Sequence, residues 1–188
     1  LVGSEMCIRD RYTKYENEMP DLKRIKARAL MSKIIEAQIE TGQPYMLYKD
    51  AVNKKSNQKN IGVIKSSNLC AEIVEYSEKD ETAVCNLASI ALPKFVTDES
   101  KFDYQNLYQV AKLATKNLDQ VIDINFYPTD KTENSNSRHR PIGLGIQGLA
   151  DVYFKMNIAY DSVQAQIINK QIFETVYFGA LEPSMELV

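Results

Sequence analysis

The feature that most restricts the fold of this chain is a long run between Asp103 and Ile122 in which apolar side chains recur every three or four residues. That spacing places them on one face of a helix. Asp103 precedes the run and is a typical N-terminal cap. The stripe consists of Leu107, Val110, Ala111, Ala114, Leu118, Val121 and Ile122. It predicts a long helix whose apolar face belongs to the core.

Three further stretches have the same helical spacing. The first follows Asp21 and ends at Gly42, because glycine favours the end of a helix and Pro44 prevents its continuation. A short helix is predicted from Leu149 to Met156, and a last helix follows Asp161, which we interpret as its cap. The apolar positions of the first and last helices are Ala27, Leu30, Ile34 and Ala37, and Ala165, Ile168, Ile172 and Val176. We assign these stripes to the core as well.

The segments between the helices predict strands and loops. Tyr45 to Tyr48 and Ile61 to Ile64 are short runs on either side of a polar loop from Asn53 to Asn60, and we expect both runs to be strands. A further extended run begins near Ala83. Thr129 to Ser137 is polar and predicts a loop. Helices and strands together place the chain in the α/β class.

A cysteine stands between an amide and a carboxylate in the segment from Ser67 to Ile73. In extended chain alternate side chains share a face, so we expect Asn68, Cys70 and Glu72 to point the same way. Asn68 can donate and accept hydrogen bonds, and Glu72 can accept a proton. Cys70 can act as a nucleophile, a metal ligand or a redox centre. The spacing therefore indicates a candidate site that combines sulfur chemistry with a base.

A purely structural explanation of the same three residues stays open. Cys70 can be a small buried apolar side chain, Asn68 part of a turn and Glu72 a solvated strand residue. Alternating apolar and polar residues are common in half-buried strands. Under this alternative the chain is a non-catalytic α/β interaction module in which Cys70 serves packing alone.

A glycine pattern offers a second alternative. Gly143, Gly145 and Gly148 match the dinucleotide fingerprint, which would make the chain an NAD- or FAD-dependent oxidoreductase. That fingerprint follows a buried strand, but the segment from Arg138 to Ile142 contains two arginines, a histidine and a proline, which makes it a poor strand of that kind. The glycines are more simply explained by a helix that packs closely against a sheet.

The single histidine, His139, lies between two arginines. A zinc site built on several histidines is therefore excluded, and Cys70 and Cys85 each lack a cysteine at short spacing, so we predict no metal site. We expect His139 to lie at a surface or an interface. The charged residues from Ser77 to Glu81 are expected to form an exposed turn.

Residues 1–11 differ in character from the rest of the chain. Glu5 to Arg11 corresponds to the translation of the mosaic end of a transposon-based sequencing adapter, and Leu1 to Ser4 fits the preceding adapter bases. We interpret residues 1–11 as a scar outside the fold, so that Cys7 carries no chemistry and residues 12–188 form the folded part. The pattern at Val188 is still that of a structured segment, and we expect the sequence to be truncated there.

Composition excludes several classes of protein. The chain has 188 residues, of which 44% are hydrophobic and 26% charged, as in ordinary globular proteins. A formal net charge of −2 argues against a nucleic-acid-binding surface, and no apolar run approaches the roughly 20 residues of a membrane helix. Cys70 and Cys85 are too few for a disulfide scaffold, and no secretory signal is evident, so we predict a reducing, cytoplasmic environment.

An ordered series of segments carries a family resemblance. Its centre is Asn68-Leu69-Cys70-Ala71-Glu72-Ile73, which is followed by Ala83 to Leu92. The other segments are Thr41 to Asp50, Lys55 to Gln58, Arg138 to Asp151 and Asn169 to Thr175. Together they resemble the large catalytic subunit of ribonucleotide reductases, and most closely the class that uses a separate radical-bearing metal subunit. The cobalamin-dependent class shares the Asn-Leu-Cys core.

The resemblance implies a role for each residue of the candidate site. Cys70 matches the cysteine that becomes a thiyl radical and removes the 3′ hydrogen of a ribonucleotide. Glu72 matches the carboxylate that accepts the 3′-hydroxyl proton, and Asn68 matches the amide that orients the sugar. Together with Leu69 they would bind the substrate. Cys85 matches one half of a redox-active disulfide whose partner cysteine would lie upstream of this sequence.

The implied fold is part of a ten-stranded α/β barrel, with Cys70 on a finger loop at its centre. The implied reaction is the reduction of ribonucleoside diphosphates to deoxyribonucleotides for DNA synthesis. The implied partners are a radical-generating small subunit with a di-metal/tyrosyl centre, a second large subunit in a homodimer, and thioredoxin or glutaredoxin. ATP and dNTP effectors would bind parts of the family's chain that this sequence lacks. The chain itself would bind no cofactor, no nucleic acid and no membrane.

Several parts of the family are missing from this sequence. They are the redox partner of Cys85, the nucleotide-sensing region, most of the substrate-phosphate contacts, the downstream tyrosines of the radical path and the C-terminal reducing cysteines. We therefore expect this chain alone to be inactive. A partial barrel also leaves strand edges unpaired, which predicts poor solubility.

Overall fold

The structure is a computed structural model that describes residues 3–19 and 21–187. It divides into two compact units, one ending at Tyr48 and the other beginning at Lys49. The interpretation of residues 1–11 as a scar stays a prediction. Its first two residues lie outside the described part, and the remainder forms the start of a helix.

The first unit contains two helices, α1 (Gly3–Glu18) and α2 (Ala27–Thr41). Gly42 ends α2 in the left-handed conformation, with φ of 73°, and its N–H donates to the carbonyl of Gln38 at 2.9 Å, which confirms the predicted end. The predicted start at Asp21 is wrong, because a turn and further non-helical residues separate Asp21 from Ala27, the first helical residue. No side chain of α2 is buried, so its apolar stripe is not core.

The second unit begins with a short helix, α3 (Lys49–Lys55), where the sequence predicted a polar loop from Asn53. Asp50 lies in its first turn and Lys54 and Lys55 lie in its last. These charges oppose the partial charges at the two helix ends and favour the helix. The polar composition that suggested a loop is therefore compatible with a solvated helix.

The two short strands predicted at Tyr45 to Tyr48 and Ile61 to Ile64 are not formed. The N–H of Ile64 donates to Oδ1 of Asn53 at 2.7 Å, and the carbonyl of Ile64 accepts from Nδ2 of the same side chain at 2.9 Å. One amide side chain thus takes both hydrogen bonds that a neighbouring strand would supply.

The sheet of the second unit has two parallel strands among the described residues, β1 (Asn86–Ala91) and β2 (Ile142–Gln147). Their register pairs Asn86 with Ile142 and Ala91 with Gln147. Parallel neighbours need a long connection, and here α4 (Tyr104–Ile124) and α5 (Asp130–His139) provide it. The extended run predicted from Ala83 thus becomes β1.

Helix α4 is the long helix that the sequence predicted. The Asp103 carboxylate accepts a hydrogen bond from the N–H of Asn106 at 3.0 Å, which confirms the cap. The buried residues of the helix are Leu107, Ala111, Thr115, Leu118 and Ile122. Thr115 is tolerated in this face because its hydroxyl donates to the carbonyl of Ala111 at 2.9 Å.

Helix α5 replaces the loop predicted from Thr129 to Ser137. Thr129 and Thr132 form a reciprocal capping box, which satisfies the amides at the start of the helix. Asp130 and Glu133 lie in the first turn, and Arg138 lies in the last. The helix therefore forms through its caps and charges rather than through an apolar stripe.

A short 3₁₀ helix (Leu92–Phe95) and two more helices, α6 (Leu149–Lys155) and α7 (Val163–Glu186), complete the unit. The cap of α7 is Ser162, whose hydroxyl accepts from the N–H of Ala165 at 3.1 Å, and not the predicted Asp161. The predicted stripe of α7 is buried as expected. The core cluster comprises Ile90, Leu92, Phe95, Phe102, Leu107, Ala111, Val152, Tyr153, Ala165, Ile168, Ile172 and Val176.

The described residues thus form a mixed helix and strand structure, in agreement with the α/β class. Within residues 3–19 and 21–187, none of the helices combines the length and the apolar character that crossing a bilayer requires. The ten-stranded barrel stays a prediction, since two strands are present here.

Candidate active site

The segment from Ser67 to Ile73 folds as a tight loop and not as the extended strand that the sequence suggested. The N–H of Asn68 donates to the carbonyl of Ile73 at 3.4 Å, and the N–H of Ala71 donates to the carbonyl of Asn68 at 3.2 Å. Ala71 adopts a positive φ of 65°, which an extended strand does not contain. Strict alternation of side chains is therefore lost within this loop.

The Asn68 side chain closes the loop. Its Nδ2 donates to Oε1 of Glu72 at 2.6 Å, and its Oδ1 accepts from the N–H of Ile73 at 3.0 Å. The Ser67 hydroxyl donates to the carbonyl of Ile73 at 2.5 Å. Asn68 and Glu72 are thus brought together, as predicted, but by direct hydrogen bonding across a turn.

Cys70 lies at the outer end of this loop. Its thiol is free and exposed, and the neighbouring Leu69 is 92% exposed. An exposed thiol next to a paired amide and carboxylate is accessible to a bound molecule or to a partner. The alternative that Cys70 is a buried packing residue therefore does not hold within the described unit.

Cys85 is a second free thiol and lies half-buried directly before β1. Burial, together with the charge and hydrogen bond of Glu75 and the charge of Glu72, raises the pKa of Cys85 to about 12. The thiol is therefore protonated at neutral pH. The effect of Glu72 also places the Asn68–Glu72 loop in the electrostatic neighbourhood of Cys85.

Glu75 is a half-buried carboxylate that the sequence analysis missed. Its burial raises its pKa, while the nearby Cys85 and His139 side chains act in the opposite direction. It stands in an ordinary apolar and polar alternation, and no local pattern connects it to Cys85. Only the fold brings the two side chains together.

An open groove of about 590 Å³ runs past the loop. Its lining residues are Glu72, Ile73, Leu87, Ala88, Ser89, Gly143, Leu144 and Gly145. A Cβ atom at Gly143 would lie 3.2 Å from Sγ of Cys85, so the missing side chain gives β2 the space to pass beside the thiol. Glu72 therefore lines the groove, and Cys85 lies next to Gly143, another of the lining residues.

The glycine pattern does not form a dinucleotide loop. Gly143 and Gly145 lie inside β2, and only Gly148 occupies the turn that leads into α6. Gly148 has a φ of 78°, and a Cβ there would lie 2.6 Å from Cγ of Pro93. This agrees with the expectation that a glycine allows a helix to pack closely at this point.

A buried ionic cluster supports the segment between the two cysteines. Glu81 is buried, and its carboxylate contacts Arg138 and, at 2.6 Å, Nε2 of His139. The hydrogen bond of His139, helped by Arg138 and opposed by burial, holds the pKa of Glu81 below its usual range. Residues 77–80 are exposed and form the predicted turn with Glu81, which alone of the five is buried. His139 was expected at a surface or an interface, but its side chain packs against Glu81 inside the unit.

A second buried network, also missed in the sequence, lies below β1. Nδ2 of Asn86 donates to Oδ1 of Asn136 at 3.1 Å, and Nδ2 of Asn136 donates to the Tyr127 hydroxyl at 2.5 Å. That hydroxyl donates to the carbonyl of Ile122 at 2.6 Å. The network fixes α5 against the start of β1, directly after Cys85.

Within the part of the chain that the structure describes, no three histidine, cysteine, aspartate or glutamate side chains are grouped so that they could hold a metal ion.

Comparison with known proteins identifies the family. The family model for the barrel domain of ribonucleotide reductase matches residues 1–188. The ribonucleoside-diphosphate reductase large subunits of Danio rerio and Caenorhabditis elegans are 58% and 57% identical to this chain over 176 residues, which is 94% of it. The large chain of Schizosaccharomyces pombe is 52% identical over the same length. In each case the match spans 22% of the relative.

The chain therefore belongs to the ribonucleotide reductase barrel-domain family, as the sequence resemblance predicted. It spans less than a quarter of the length of these curated relatives.

Proposed function

We propose that this chain is a fragment of the large subunit of a ribonucleoside-diphosphate reductase, which reduces ribonucleotides to deoxyribonucleotides. The observation that carries the proposal is the closed loop in which Asn68 holds Glu72 beside the exposed Cys70. The family and the names of the relatives support the same reaction.

Cys70, Glu72 and Asn68 each have a separate role in the first step. A thiyl radical on Cys70 takes the 3′ hydrogen atom of the ribose, and the thiol is thereby restored. Glu72 accepts the proton of the 3′-hydroxyl group, which requires an oxygen within about 2.6 to 3.2 Å of that group. Asn68 orients the sugar and keeps Glu72 in place, and Leu69 contributes to substrate binding.

The reduction itself needs two thiols. The 2′-hydroxyl group leaves as water, the substrate gains two electrons, and Cys85 and a partner cysteine upstream of this sequence become a disulfide. A dithiol of the thioredoxin or glutaredoxin type then reduces that disulfide and is itself oxidised. The protonated state of Cys85 at neutral pH suits a thiol that delivers both a proton and an electron.

The remaining parts of the proposal concern the complete protein. The fragment belongs to a ten-stranded α/β barrel in which the Asn68–Glu72 loop is the central finger. The radical comes from a small subunit with a di-metal/tyrosyl centre, and ATP and dNTP effectors bind elsewhere in the large subunit, which forms a homodimer in the cytoplasm.

Under this proposal the 188-residue chain expressed alone is poorly soluble, because β1 and β2 each keep one unpaired edge among the described residues. Expression of the chain followed by sedimentation tests this point. A soluble monomer with a cooperative melting transition would contradict it.

The proposal is tested by exchanging Cys70 for serine in the complete large subunit. Cys70→Ser is expected to abolish deoxyribonucleotide formation with an unchanged circular dichroism spectrum, because a hydroxyl group does not replace the thiyl radical. Cys85→Ser is the matched cysteine control, and it is expected to stop sustained turnover while leaving the radical step possible. Full activity of Cys70→Ala would instead favour the non-catalytic module.

A further inference from the structure

We propose that helix α5 positions Cys85 for disulfide formation, because its buried polar side chains hold the chain on both sides of this cysteine. The inference rests on the redox role of Cys85 in the proposed function. It makes Asn86 and Glu81 positioning residues for the thiol, although both lie outside the groove beside the Asn68–Glu72 loop.

The residue after Cys85 is fixed by its own side chain. Asn86 is 7% exposed, and its Nδ2 donates to Oδ1 of Asn136 at 3.1 Å and to the carbonyl of Pro141 at 3.1 Å. Its N–H also donates to the carbonyl of Pro141, at 3.4 Å. Asn136 is fully buried in α5, and Pro141 directly precedes β2. The start of β1 is therefore tied both to α5 and to the start of β2.

The segment before Cys85 is fixed to the last turn of the same helix. Glu81 is 6% exposed, and its carboxylate contacts Arg138 and lies 2.6 Å from Nε2 of His139. Arg138 and His139 both belong to the last turn of α5. A buried carboxylate that loses its partners pays a large desolvation cost, so this contact restrains the segment firmly.

Hydrogen bonds to the backbone join the same segment to the earlier turns of α5. The N–H of Thr82 donates to the carbonyl of Lys131 at 3.1 Å. Nδ2 of Asn134 donates to the carbonyl of Asp80 at 3.1 Å. Cys85 therefore lies on a short piece of chain that α5 holds at both ends.

Strand β2 limits the position of the sulfur on one side. A Cβ atom at Gly143 would lie 3.2 Å from Sγ of Cys85, so the backbone of the strand passes directly beside the thiol. Helix α5 and strand β2 together therefore set where the thiol lies.

A disulfide needs such restraint because its geometry is narrow. The sulfur atoms have to approach to about 2.0 Å with their Cβ atoms about 3.5 to 4.5 Å apart, and cysteines outside this range are joined only if the backbone moves. In the proposed reaction two thiols become one disulfide and two hydrogen atoms pass to the substrate, one to its 2′ carbon and one to the hydroxyl group that leaves as water. A thiol that is already held in place loses less freedom when the bond forms.

The first experiment measures the equilibrium between the two thiols and the disulfide of Cys85 in the complete large subunit. The protein is equilibrated without substrate in mixtures of reduced and oxidised glutathione, and the disulfide is quantified by mass spectrometry. Asn86→Ala is expected to lower the equilibrium constant for disulfide formation about tenfold, which corresponds to about 30 mV for this two-electron couple. Glu81→Gln weakens the anchor on the other side of Cys85 and is expected to lower the constant about threefold.

Gly179→Ala is the matched control, because it destabilises the fold at the contact between α7 and α4 and leaves the contacts of α5 in place. Its equilibrium constant is expected to equal that of the wild type. An unchanged constant in Asn86→Ala would overturn the proposal, and Glu81→Gln decides in the same way if Asn86→Ala does not fold. An equal shift in Gly179→Ala would also overturn it, since that result reports a general loss of stability.

The second experiment measures steady-state kinetics with an external dithiol as the reductant. Asn86→Ala is expected to lower kcat about tenfold and to leave the KM for the ribonucleoside diphosphate unchanged, because Asn86 does not line the groove. An unchanged kcat would overturn the role of α5 in the reaction, and so would a loss that appears in KM alone.

The two levels of the account fail on different results. A wild-type subunit that forms no disulfide at Cys85 in any glutathione mixture would contradict the redox role of Cys85, and thus the proposed function. A wild-type disulfide whose equilibrium constant is the same in the Asn86 and Glu81 variants would contradict only the positioning by α5.

Discussion

Nδ2 of Asn68 lies 2.6 Å from Oε1 of Glu72, while Oδ1 of the same amide accepts the N–H of Ile73 at 3.0 Å. One side chain therefore closes the loop that carries Cys70 and also sets the position of its carboxylate. Glu72 also lines the open groove beside this loop, and under the proposed function it accepts the proton of the substrate's 3′-hydroxyl group there.

This relationship predicts different effects of two substitutions in the complete subunit. Glu72→Gln keeps the size of the side chain but removes the base, so kcat is expected to fall by about 10²- to 10⁴-fold with little change in KM. Asn68→Ala removes the hydrogen bonds that close the loop and the amide proposed to orient the sugar, so kcat is expected to fall and KM to rise. Steady-state kinetics with a ribonucleoside diphosphate distinguish the two.

The control for this pair is Glu78→Gln, which removes an exposed carboxylate paired with Lys65 and is expected to leave both constants unchanged. A Glu72→Gln enzyme with the kcat of the wild type would contradict the assignment of Glu72 as the base.

Glu81 predicts an acid-dependent part of the stability. Its pKa is lowered in the folded state, chiefly by the hydrogen bond of His139, so ionised Glu81 stabilises the fold above the ordinary glutamate pKa of about 4.3. That contribution is lost as the pH falls through the lowered value. Glu81→Gln is expected to cost about 1 to 3 kcal/mol at neutral pH and much less under acid conditions, as measured by thermal melting. An equal loss at both pH values would contradict this account.

The buried network below β1 predicts a cost for removing one hydroxyl group. Tyr127→Phe removes the hydroxyl group that accepts a hydrogen bond from Nδ2 of Asn136. Because Asn136 is fully buried, the unpaired donor is expected to cost about 1 to 3 kcal/mol of stability. Tyr160→Phe is the control, because Tyr160 is 79% exposed. If both variants melt at the temperature of the wild type, the network does not fix α5 against β1.

Gly179 marks the close approach of α7 to α4. A Cβ there would lie 2.9 Å from the carbonyl oxygen of Tyr108 and 3.0 Å from Cβ of Ala111, both of which belong to the packed helix. Gly179→Ala is therefore expected to destabilise the protein by about 1 to 3 kcal/mol, despite the higher helix propensity of alanine. Ser184→Ala, at an exposed position of the same helix, is expected to be neutral. A stabilised Gly179→Ala protein would show that the helices can separate without cost.

The sequence predicted the elements whose signals are local. Helix α4 follows from its apolar stripe and from Asp103, and α7 follows from a stripe of the same kind, displaced by one residue at its cap. Helix α5 was missed because its residues are polar throughout, and its capping box is a weaker signal than an apolar face. The strand predicted at Ile61 to Ile64 failed because Asn53, a distant side chain, replaces the neighbouring strand.

The candidate site, like the fold, was predicted only where its signal is local in the sequence. The residue types Asn68, Cys70 and Glu72 were identified from their order in the chain, and the family match agrees with the resemblance that named them. The turn that joins Asn68 to Glu72 was not predicted, since alternation alone favoured an extended strand. The influence of Glu75 on the pKa of Cys85 was also absent from the prediction, because it depends on the fold between them.

Under the proposed function, a thiyl radical on Cys70 removes the hydrogen atom from the 3′ carbon of a ribonucleotide. The most direct measurement uses the complete large subunit with its small subunit and a substrate that carries tritium at the 3′ position. The account predicts that the wild-type protein discriminates against the tritiated substrate during turnover, and that Cys70→Ser neither forms product nor releases tritium from that carbon. Release of tritium or formation of deoxyribonucleotide by Cys70→Ser would contradict it.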